Sequence, residues 1–241
     1  MRLDRLLSTL AVGSRSQVKE LIRQGRVQVR ETTAWDAAME VVPGEVVWVN
    51  DVPLDTRVIR HVMMNKPAGV LTAARDSKQP TVLDLLPSLY QSCGCMPVGR
   101  LDKDTEGLLL FTSDGQAAHR LLSPKRLVPK VYQARVTGRL QPDAVAAFKC
   151  GLNLGDFVSM PATLHILDAQ EESSLAEVTV CEGKFHQVKR MFSACGHEVL
   201  ALKRLRFGGL QLDDTLAPGE WRELSDEEWN LLVKGVEDVA G

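Results

Sequence analysis

The chain has 241 residues, of which 44% are hydrophobic and 25% are charged, and its formal net charge at pH 7 is −2. This composition is typical of a folded protein with one large domain or two unequal ones, and it excludes a disordered chain or a coiled coil. No apolar run approaches the roughly 18 residues needed to span a bilayer. The amino terminus reads Met-Arg-Leu-Asp-Arg, and no apolar core of signal-peptide length follows it, so no export is expected. Taken alone, the net charge argues against a nucleic-acid partner.

The five cysteines indicate a reducing compartment. An odd number makes a poor disulfide framework, and only Cys93 and Cys95 are close together in the sequence. We therefore interpret them as reduced thiols used as small apolar residues, and we predict a cytoplasmic protein with no metal site and no membrane contact.

Charge is distributed unevenly along the chain. Residues 1–30 contain seven basic and two acidic residues, whereas residues 213–241 contain nine acidic and two basic ones. The small net charge is therefore a cancellation, and a basic face is possible at the amino end.

Two short helices are predicted in this basic segment. The first is indicated by apolar residues at helical spacing, namely Leu3, Leu6, Leu7, Leu10 and Ala11. Gly13 is expected to end this helix, because glycine accepts the left-handed conformation that follows many helices. Ser14 and Gln17 form a capping box that begins the second helix, and Gly25 ends it.

The second helix carries a row of cations. Arg15, Lys19 and Arg23 recur every four residues and therefore share one face, and Arg26 lies just beyond the helix. The row is either a solvated surface or a ridge that contacts phosphates, because its spacing is similar to that of a nucleic-acid backbone.

Short strands are predicted next, at 27–29 and at 46–49 after a Pro43-Gly44 turn. Residues 1–50 resemble the small RNA-binding domain typified by ribosomal protein S-four, in three runs: Arg-Leu-Asp-Arg-Leu-Leu, Ser-Arg-Ser-Gln-Val-Lys-Glu-Leu-Ile-Arg-Gln-Gly-Arg-Val-Gln-Val and Pro-Gly-Glu-Val-Val-Trp-Val. The resemblance implies that this segment binds structured RNA.

A larger α+β region follows. Its strands are predicted at 58–64, 108–112, 131–136, 162–167, 175–181 and 199–207. A helix is expected between Pro142 and Gly151, and Ser225 with Glu228 caps the last helix. We predict an αα-β RNA-binding module at 1–55 and a larger domain at 56–241 with a mixed, mainly antiparallel sheet.

The most informative run is Gly-Arg-Leu-Asp-Lys-Asp-Thr-Glu-Gly-Leu-Leu-Leu-Phe-Thr-Ser-Asp-Gly, at residues 99–115. It combines a polar, glycine-bounded loop with an apolar strand, so a carboxylate on the loop lies at the edge of the core. From spacing alone, Asp102 is a nucleophile, a general base, a metal ligand together with Asp104, or a loop-capping residue. A glycoside hydrolase with two carboxylates remains possible at this stage.

This run resembles the catalytic motif of the RNA pseudouridine synthases, in the branch where an S-four-like module precedes the catalytic domain. Three further runs share the resemblance: Met-Asn-Lys-Pro-Ala-Gly at 64–69, Lys-Val-Tyr at 130–132, and Glu-Gly-Lys-Phe-His-Gln-Val-Lys-Arg-Met-Phe at 182–192. Phe-His-Gln-Val-Lys-Arg-Met is similar to the version found in enzymes that modify 16S rRNA at uridine 516. The large-subunit enzymes tend to carry Asn-Arg and Arg-Arg in the corresponding places.

The resemblance implies a role for each site residue. Asp102 matches the carboxylate beside the anomeric carbon, which either attacks covalently or assists formation of a glycal. Tyr132 matches the aromatic residue that stacks on uracil, and Lys189, or its neighbour Arg190, matches the cation that keeps the aspartate ionised. Leu202 matches the aliphatic residue packed against the target base, and we add Arg100 and Leu101 to the same base pocket.

From the residues alone, Tyr132 and Leu202 are also ordinary core positions. His186 is a structural residue, an RNA contact or, as the weaker alternative, an acid or base. Residues 184–206 contain six basic residues against Glu198, which predicts a second positive patch. The predicted RNA-contacting residues are Arg2, Arg15, Lys19, Arg23, Arg26, Lys66, Lys184, His186, Arg190, Lys203 and Arg204.

The resulting hypothesis is a cofactor-free monomeric isomerase that flips out one uridine of 16S ribosomal RNA or of a small-subunit precursor. Three alternatives stay open from the sequence. They are an RNA-binding assembly factor without catalysis, a synthase acting on a large-subunit site, and a metal-dependent hydrolase built on Asp102 and Asp104.

Overall fold

The structure, a computed structural model, describes residues 1–42 and 44–237, in two compact units. The first unit comprises Met1–His61 and two later segments, Leu86–Met96 and Thr112–Asp114. The second comprises Val62–Leu85, Pro97–Phe111 and the described residues from Gly115 onward. Pro43, which belongs to the predicted Pro43-Gly44 turn, and residues 238–241 lie outside the described residues.

The first unit contains three helices and a small sheet. Its helices are α1 (Leu3–Thr9), α2 (Arg15–Arg23) and α3 (Ser88–Ser92), and its strands are β1 (Val27–Val29), β2 (Thr32–Thr33), β3 (Val47–Val49) and β4 (Val52–Leu54). The strands form one antiparallel sheet in the order β2-β1-β3-β4. Apolar residues of α1, α2, β1 and β3 form the core, and Leu89 and Cys93 of the later segment pack against it.

Local capping chemistry determines the ends of both amino-terminal helices. The predicted capping box of α2 is present: the Ser14 N–H donates to the Gln17 side chain at 2.8 Å, and the Gln17 N–H donates to the Ser14 hydroxyl at 3.4 Å. The prediction that Gly13 ends α1 is wrong. The helix ends at Thr9, and Ala11 takes the left-handed conformation with φ +57°, because the Val12 N–H bonds back to the Leu7 carbonyl in a Schellman turn.

The second unit is built on a nine-stranded sheet. Its strands are β5 (His61–Lys66), β6 (Met96–Pro97), β7 (Glu106–Thr112), β8 (Lys130–Thr137), β9 (Thr163–Ala169), β10 (Ser173–Val180), β11 (Val199–Phe207), β12 (Leu210–Gln211) and β13 (Trp221–Glu223). Its helices are α4 (Gly115–Leu122), α5 (Pro142–Cys150), α6 (Gln187–Ala194) and α7 (Asp226–Glu237), with a 3-10 turn at Pro124–Arg126. The predicted mixed, mainly antiparallel α+β fold is confirmed. Five of the six predicted strands are present with bounds within two residues, whereas the strand predicted at 58–64 begins only at His61.

The strand order is β13-β5-β7-β11-β8-β10-β9, with β6 beside β7 and β12 beside β11. The pairing of β7 with β11 is parallel, whereas β11 with β8, β8 with β10 and β10 with β9 pair antiparallel. Gly107 is required at the parallel pairing. Its φ is +97°, and a Cβ there would lie 2.3 Å from the Arg204 carbonyl oxygen.

Two apolar clusters hold the helices against this sheet. In one, α5 and α6 pack on β8, β10 and β11, and the rings of Phe148 and Phe192 lie 5.1 Å apart between centroids. In the other, α4 and α7 pack with β5 and β7 through buried residues such as Met63, Leu121 and Leu232. Among the described residues, no helix has both the length and the apolar character needed to cross a bilayer.

Candidate active site

One pocket of the second unit brings together segments that are distant in sequence. Its volume is about 460 Å³, including the part that opens to solvent. It is lined by Arg100, Leu101, Asp102 and Thr105, by Tyr132, by Val180, Glu182, Gly183, Lys184, His186, Gln187, Val188 and Lys189, and by Leu202. All six residues that the sequence analysis assigned to catalysis or to the base pocket therefore line one cavity.

The loop that carries Asp102 is fixed from below by two side chains. The Thr72 hydroxyl donates to the Leu101 carbonyl at 2.8 Å and accepts from the Leu101 N–H at 3.2 Å. The Lys66 ammonium donates to the carbonyls of Lys103 at 3.1 Å and Thr105 at 2.9 Å. The backbone on both sides of Asp104 is therefore held, which limits the positions that Asp102 can adopt.

The prediction that Lys66 contacts RNA is wrong. Its side chain is fully buried, and its three donor hydrogens satisfy main-chain carbonyls, the third being that of Pro67 at 2.9 Å. Burial lowers the pKa of the Lys66 ammonium to about 8. Lys66 supports the Asp102 loop instead of presenting a charge to a phosphate.

Asp102 has a histidine as its neighbour in the pocket. The Asp102 carboxylate lies 3.5 Å from Nε2 of His186, and the two side chains are 28% and 41% exposed. His186 is the residue before α6 and has φ +51°, so a left-handed backbone turns its ring towards the pocket. The sequence favours a structural or RNA-contacting role for His186 over a role as acid or base, and it does not indicate that His186 lies beside Asp102.

The expected pairing of Lys189 with Asp102 is wrong. The Lys189 ammonium donates to both carboxylate oxygens of Asp104, at 2.6 and 2.7 Å. This hydrogen bond holds the pKa of the Asp104 carboxyl below its ordinary value. The alternative cation is also engaged elsewhere, because Arg190 forms an ion pair with Asp156 and its guanidinium lies 5.1 Å from the centre of the Phe157 ring.

The ion pair of Asp104 also bears on the metal-site alternative. The metal-dependent hydrolase would need the carboxylate of Asp104 as a metal ligand beside Asp102. That carboxylate is instead paired with the ammonium of Lys189. Among the residues that the structure describes, no group of three or more His, Cys, Asp or Glu side chains is placed to hold a metal ion.

One side of the pocket comes from the sheet. Tyr132 lies in β8 between Val178 of β10 and Arg204 of β11, and its side chain is half-buried. Leu202 lies in β11 with 6% exposure, and it belongs both to the pocket lining and to the core beneath α6. The aromatic ring and the aliphatic side chain are therefore carried by paired central strands, which hold them rigidly.

Hydrogen bonds between its own residues order the segment before α6. The Gln187 amide donates to Glu182 at 2.7 Å, and its oxygen accepts the Lys184 N–H at 3.1 Å. Glu182 also accepts the Met160 N–H at 2.7 Å. The buried stripe predicted for α6 is confirmed for Val188, Met191 and Phe192, so the helix is anchored by its apolar face.

The second positive patch is smaller than predicted. Arg204 is only 2% exposed, its Nε donates to the Leu108 carbonyl at 2.8 Å, and its guanidinium lies 5.2 Å from the Phe207 ring centre. The prediction that Arg204 contacts RNA is therefore wrong. Lys203 is half-exposed and Lys184 is exposed, so both remain available at the surface.

The basic side chains of the first unit that were predicted to contact RNA differ in whether another side chain binds them. Arg2 is bonded to Asp4, Arg23 to Glu20 and Arg26 to Asn50. Arg15 and Lys19 are exposed, and no described residue forms a hydrogen bond or an ion pair with either side chain.

Sequence reasoning missed Thr105, a polar residue that lines the pocket. Thr105 is 1% exposed, and its hydroxyl has no hydrogen-bond partner among the described residues. Thr105 lies within the 99–115 run, so the motif contained it. Nothing in the sequence indicated that its oxygen would be buried without a protein partner.

Comparison with known proteins decides the family. The model of the RNA pseudouridylate synthase family matches residues 60–194, and the model of the S4 domain matches residues 1–47. The chain belongs to the RNA pseudouridylate synthase family. Members of this family are isomerases, so the alternative of a binding protein without catalysis is set aside.

Relatives of this RNA pseudouridylate synthase extend over its whole length. An uncharacterized RNA pseudouridine synthase of Bacillus subtilis is 44% identical over 96% of this chain and 98% of its own. A ribosomal small subunit pseudouridine synthase A of Vibrio parahaemolyticus is 38% identical over 95% and 100%, and a ribosomal large subunit pseudouridine synthase B of Bacillus subtilis is 34% identical over 96% and 95%.

A crystal structure of a pseudouridylate synthase shares the fold. It superposes with a TM-score of 0.65 at 31% identity, and the match covers 98% of this chain and 99% of that one. The likeness therefore extends to both units of this pseudouridylate synthase.

Proposed function

We propose that this enzyme converts one uridine of small-subunit ribosomal RNA into pseudouridine, at the position known as uridine 516 of 16S rRNA. The main support for this proposal is that one pocket is lined by three residues from distant parts of the chain, Asp102, Tyr132 and Leu202. The full-length similarity to a small subunit pseudouridine synthase A and the Phe-His-Gln-Val-Lys-Arg-Met run at 185–191 support the choice of ribosomal subunit.

The reaction breaks the bond between N1 of uracil and C1′ of ribose and forms a bond from C5 to C1′, while C5 loses its hydrogen and N1 gains one. It therefore needs a carboxylate at the ribose and a surface that retains the detached base, but no oxidant or reductant. In our proposal Asp102 is that carboxylate, acting either by attack on C1′ or by assisting a glycal intermediate. The Tyr132 ring and Leu202 retain the uracil while it turns.

The pocket offers the bound nucleoside both charge and a hydrogen bond. Arg100 and Lys184 are exposed cations at its edge, suited to the phosphates on either side of a flipped uridine. We assign the unpartnered Thr105 hydroxyl to a hydrogen bond with that nucleoside, because a buried hydroxyl without a partner is costly until a ligand supplies one.

We further propose that residues 1–55 act as the RNA-binding module and residues 56–241 as the catalytic domain. Arg15 and Lys19 contact the RNA backbone through the exposed face of α2. A ribosomal substrate is consistent with a cytoplasmic monomer that acts on 16S rRNA or on a small-subunit precursor.

Pseudouridine mapping of ribosomal RNA from cells with and without this protein tests the proposal. We expect a single pseudouridine of 16S rRNA to disappear at uridine 516 and to return when the wild-type chain is expressed. The large-subunit relative provides the second candidate. Loss of a 23S rRNA pseudouridine would identify that substrate instead, and an unchanged map of both RNAs would refute a ribosomal target.

A further inference from the structure

An exposed aromatic ring lies at the edge of the proposed uridine pocket. Phe185 is 76% exposed, and its two sequence neighbours, Lys184 and His186, both line the cavity. A single exposed apolar residue is common on protein surfaces and by itself indicates nothing. The arrangement beneath this ring distinguishes it.

The Phe185 ring is stacked on a second ring. Its centroid lies 3.8 Å from that of His186, and the two planes meet at 17°. His186 in turn lies 3.5 Å from Asp102. One face of Phe185 is therefore covered by the histidine, while its high exposure leaves the opposite face open to solvent.

We call this stacked pair, Phe185 and His186, the aromatic platform. Hydrogen bonds within the protein hold the backbone beside it before RNA binds. Gln187 bonds both Glu182 and the Lys184 N–H, and Val188 buries the start of α6. Because the platform is held in advance, a planar ligand that stacks on it loses less conformational entropy than one that must order a loop.

We propose that the open face of Phe185 is a stacking site for a nucleobase next to the target uridine. The inference rests on the proposed function, in which the uridine leaves its stack to reach Asp102 and its neighbour loses a stacking partner. An aromatic ring beside the pocket replaces that partner. The exposed Lys184 beside it matches the phosphate of the same nucleotide, so charge favours a nucleotide over an uncharged aromatic ligand.

Stacking on an aromatic ring tolerates any base, since every base has a π face. The platform therefore grips the strand without reading its sequence. A base stacked on Phe185 also presses on the ring that covers His186, the neighbour of Asp102. Binding of the RNA strand is therefore linked to the position of His186.

The test uses the full-length protein and a short single-stranded RNA that contains one uridine flanked by 2-aminopurine, whose fluorescence is quenched when it stacks. Phe185→Leu retains apolar volume without an aromatic face, and Phe185→Tyr retains the face. Leu167→Ala is the matched control, because Leu167 is an exposed apolar residue of β9 outside the pocket lining.

We expect Phe185→Leu to bind the probe roughly 5- to 100-fold more weakly and to lose the quenching. Phe185→Tyr and Leu167→Ala should behave like the wild type. Unchanged affinity and quenching in Phe185→Leu would overturn the inference, as would an equal loss in Leu167→Ala. Because this readout needs no pseudouridine to form, it stands apart from the rRNA mapping that tests the proposed function.

Discussion

The carboxylate of Asp102 faces the imidazole of His186 at 3.5 Å, whereas the ammonium of Lys189 is bonded to Asp104. The two aspartates of the loop thus have different environments, although they are separated by one residue. Asp102 lines the proposed uridine pocket, and Asp104 is 70% exposed and held in an ion pair outside that lining. This difference makes the second aspartate a natural control for the first.

Asp102→Asn should lower pseudouridine formation by about four orders of magnitude or more while RNA affinity stays close to that of the wild type, because the amide cannot act as a nucleophile or base. Single-turnover assays and RNA binding measure the two effects. Asp104→Asn should cost less than about tenfold in rate, since an exposed ion pair contributes little. Equal losses in both variants would contradict the assignment of Asp102.

Lys66→Met should destabilise the protein by about 1–3 kcal/mol and slow the reaction, because it leaves the carbonyls of Lys103 and Thr105 without their buried donor. Urea unfolding and turnover measure the effects. Lys103→Met replaces an exposed lysine of the same loop and should change neither quantity by much. A Lys66→Met protein as stable and active as the wild type would show that the loop does not need this support.

The stability of the protein should also report the titration of Lys66. Its pKa is about 8 in the folded protein, and an unfolded lysine titrates near 10.4. Between these values the unfolded state binds more protons, so the contribution of Lys66 to the free energy of unfolding rises with pH, by up to about 1.4 kcal/mol per pH unit. The free energy of unfolding of the wild type, relative to that of Lys66→Met, should therefore rise from pH 8 to 10.

A difference in unfolding free energy that does not change with pH would argue against the lowered pKa of Lys66. Comparing these two proteins is necessary because burial lowers the pKa of Lys130 to about 8 as well.

Thr105→Val should lower kcat/KM by about tenfold and leave the protein equally stable or slightly more stable. The valine removes a hydroxyl that is buried without a partner, so the folded protein loses no hydrogen bond while the bound nucleoside loses one. Steady-state kinetics and urea unfolding give the two readouts. Thr105→Ser keeps the hydroxyl and should retain most of the activity. Full activity in Thr105→Val would refute the proposed hydrogen bond.

Replacing Arg15 and Lys19 together with glutamine should reduce the slope of log affinity against log salt concentration by about 0.7–0.9 for each phosphate that is no longer neutralised. Filter binding of 16S rRNA fragments over a salt series measures the slope. Arg30→Gln is the control, because Arg30 is an exposed arginine already paired with Glu45. An unchanged slope in the double variant would mean that the face of α2 is merely solvated.

Features encoded by neighbouring residues could be predicted from the sequence. The capping box of Ser14 and Gln17, the strand that begins at Val199 and the helix that ends before Gly151 all depend on local patterns, and the structure has each of them. The helix end at Thr9 could not be predicted in this way, because burial of Leu10 and the turn at Ala11 outweighed the glycine two residues later.

The misassigned cations share a physical cause. Lys66 and Arg204 were taken for surface residues because basic side chains are rarely buried. The buried ammonium of Lys66 bonds main-chain carbonyls that include that of Thr105, and Nε of the buried Arg204 bonds that of Leu108. Such carbonyl partners leave no trace in the sequence. The partner of Lys189 was wrong for a related reason, since a motif identifies which residues meet in a pocket but not which oxygen each cation reaches.

Two side chains that cover the core of the first unit are translated late. The buried core residues all lie within residues 3–49, whereas Leu89 and Cys93, which are partly buried, pack against them from a segment about 30 residues beyond residue 61. On the nascent chain, residues 1–61 therefore emerge before this cover, and the non-local contact forms late. Cutting the gene after this segment would expose the apolar surface that Leu89 covers, so the isolated fragment should aggregate more readily than the full-length chain.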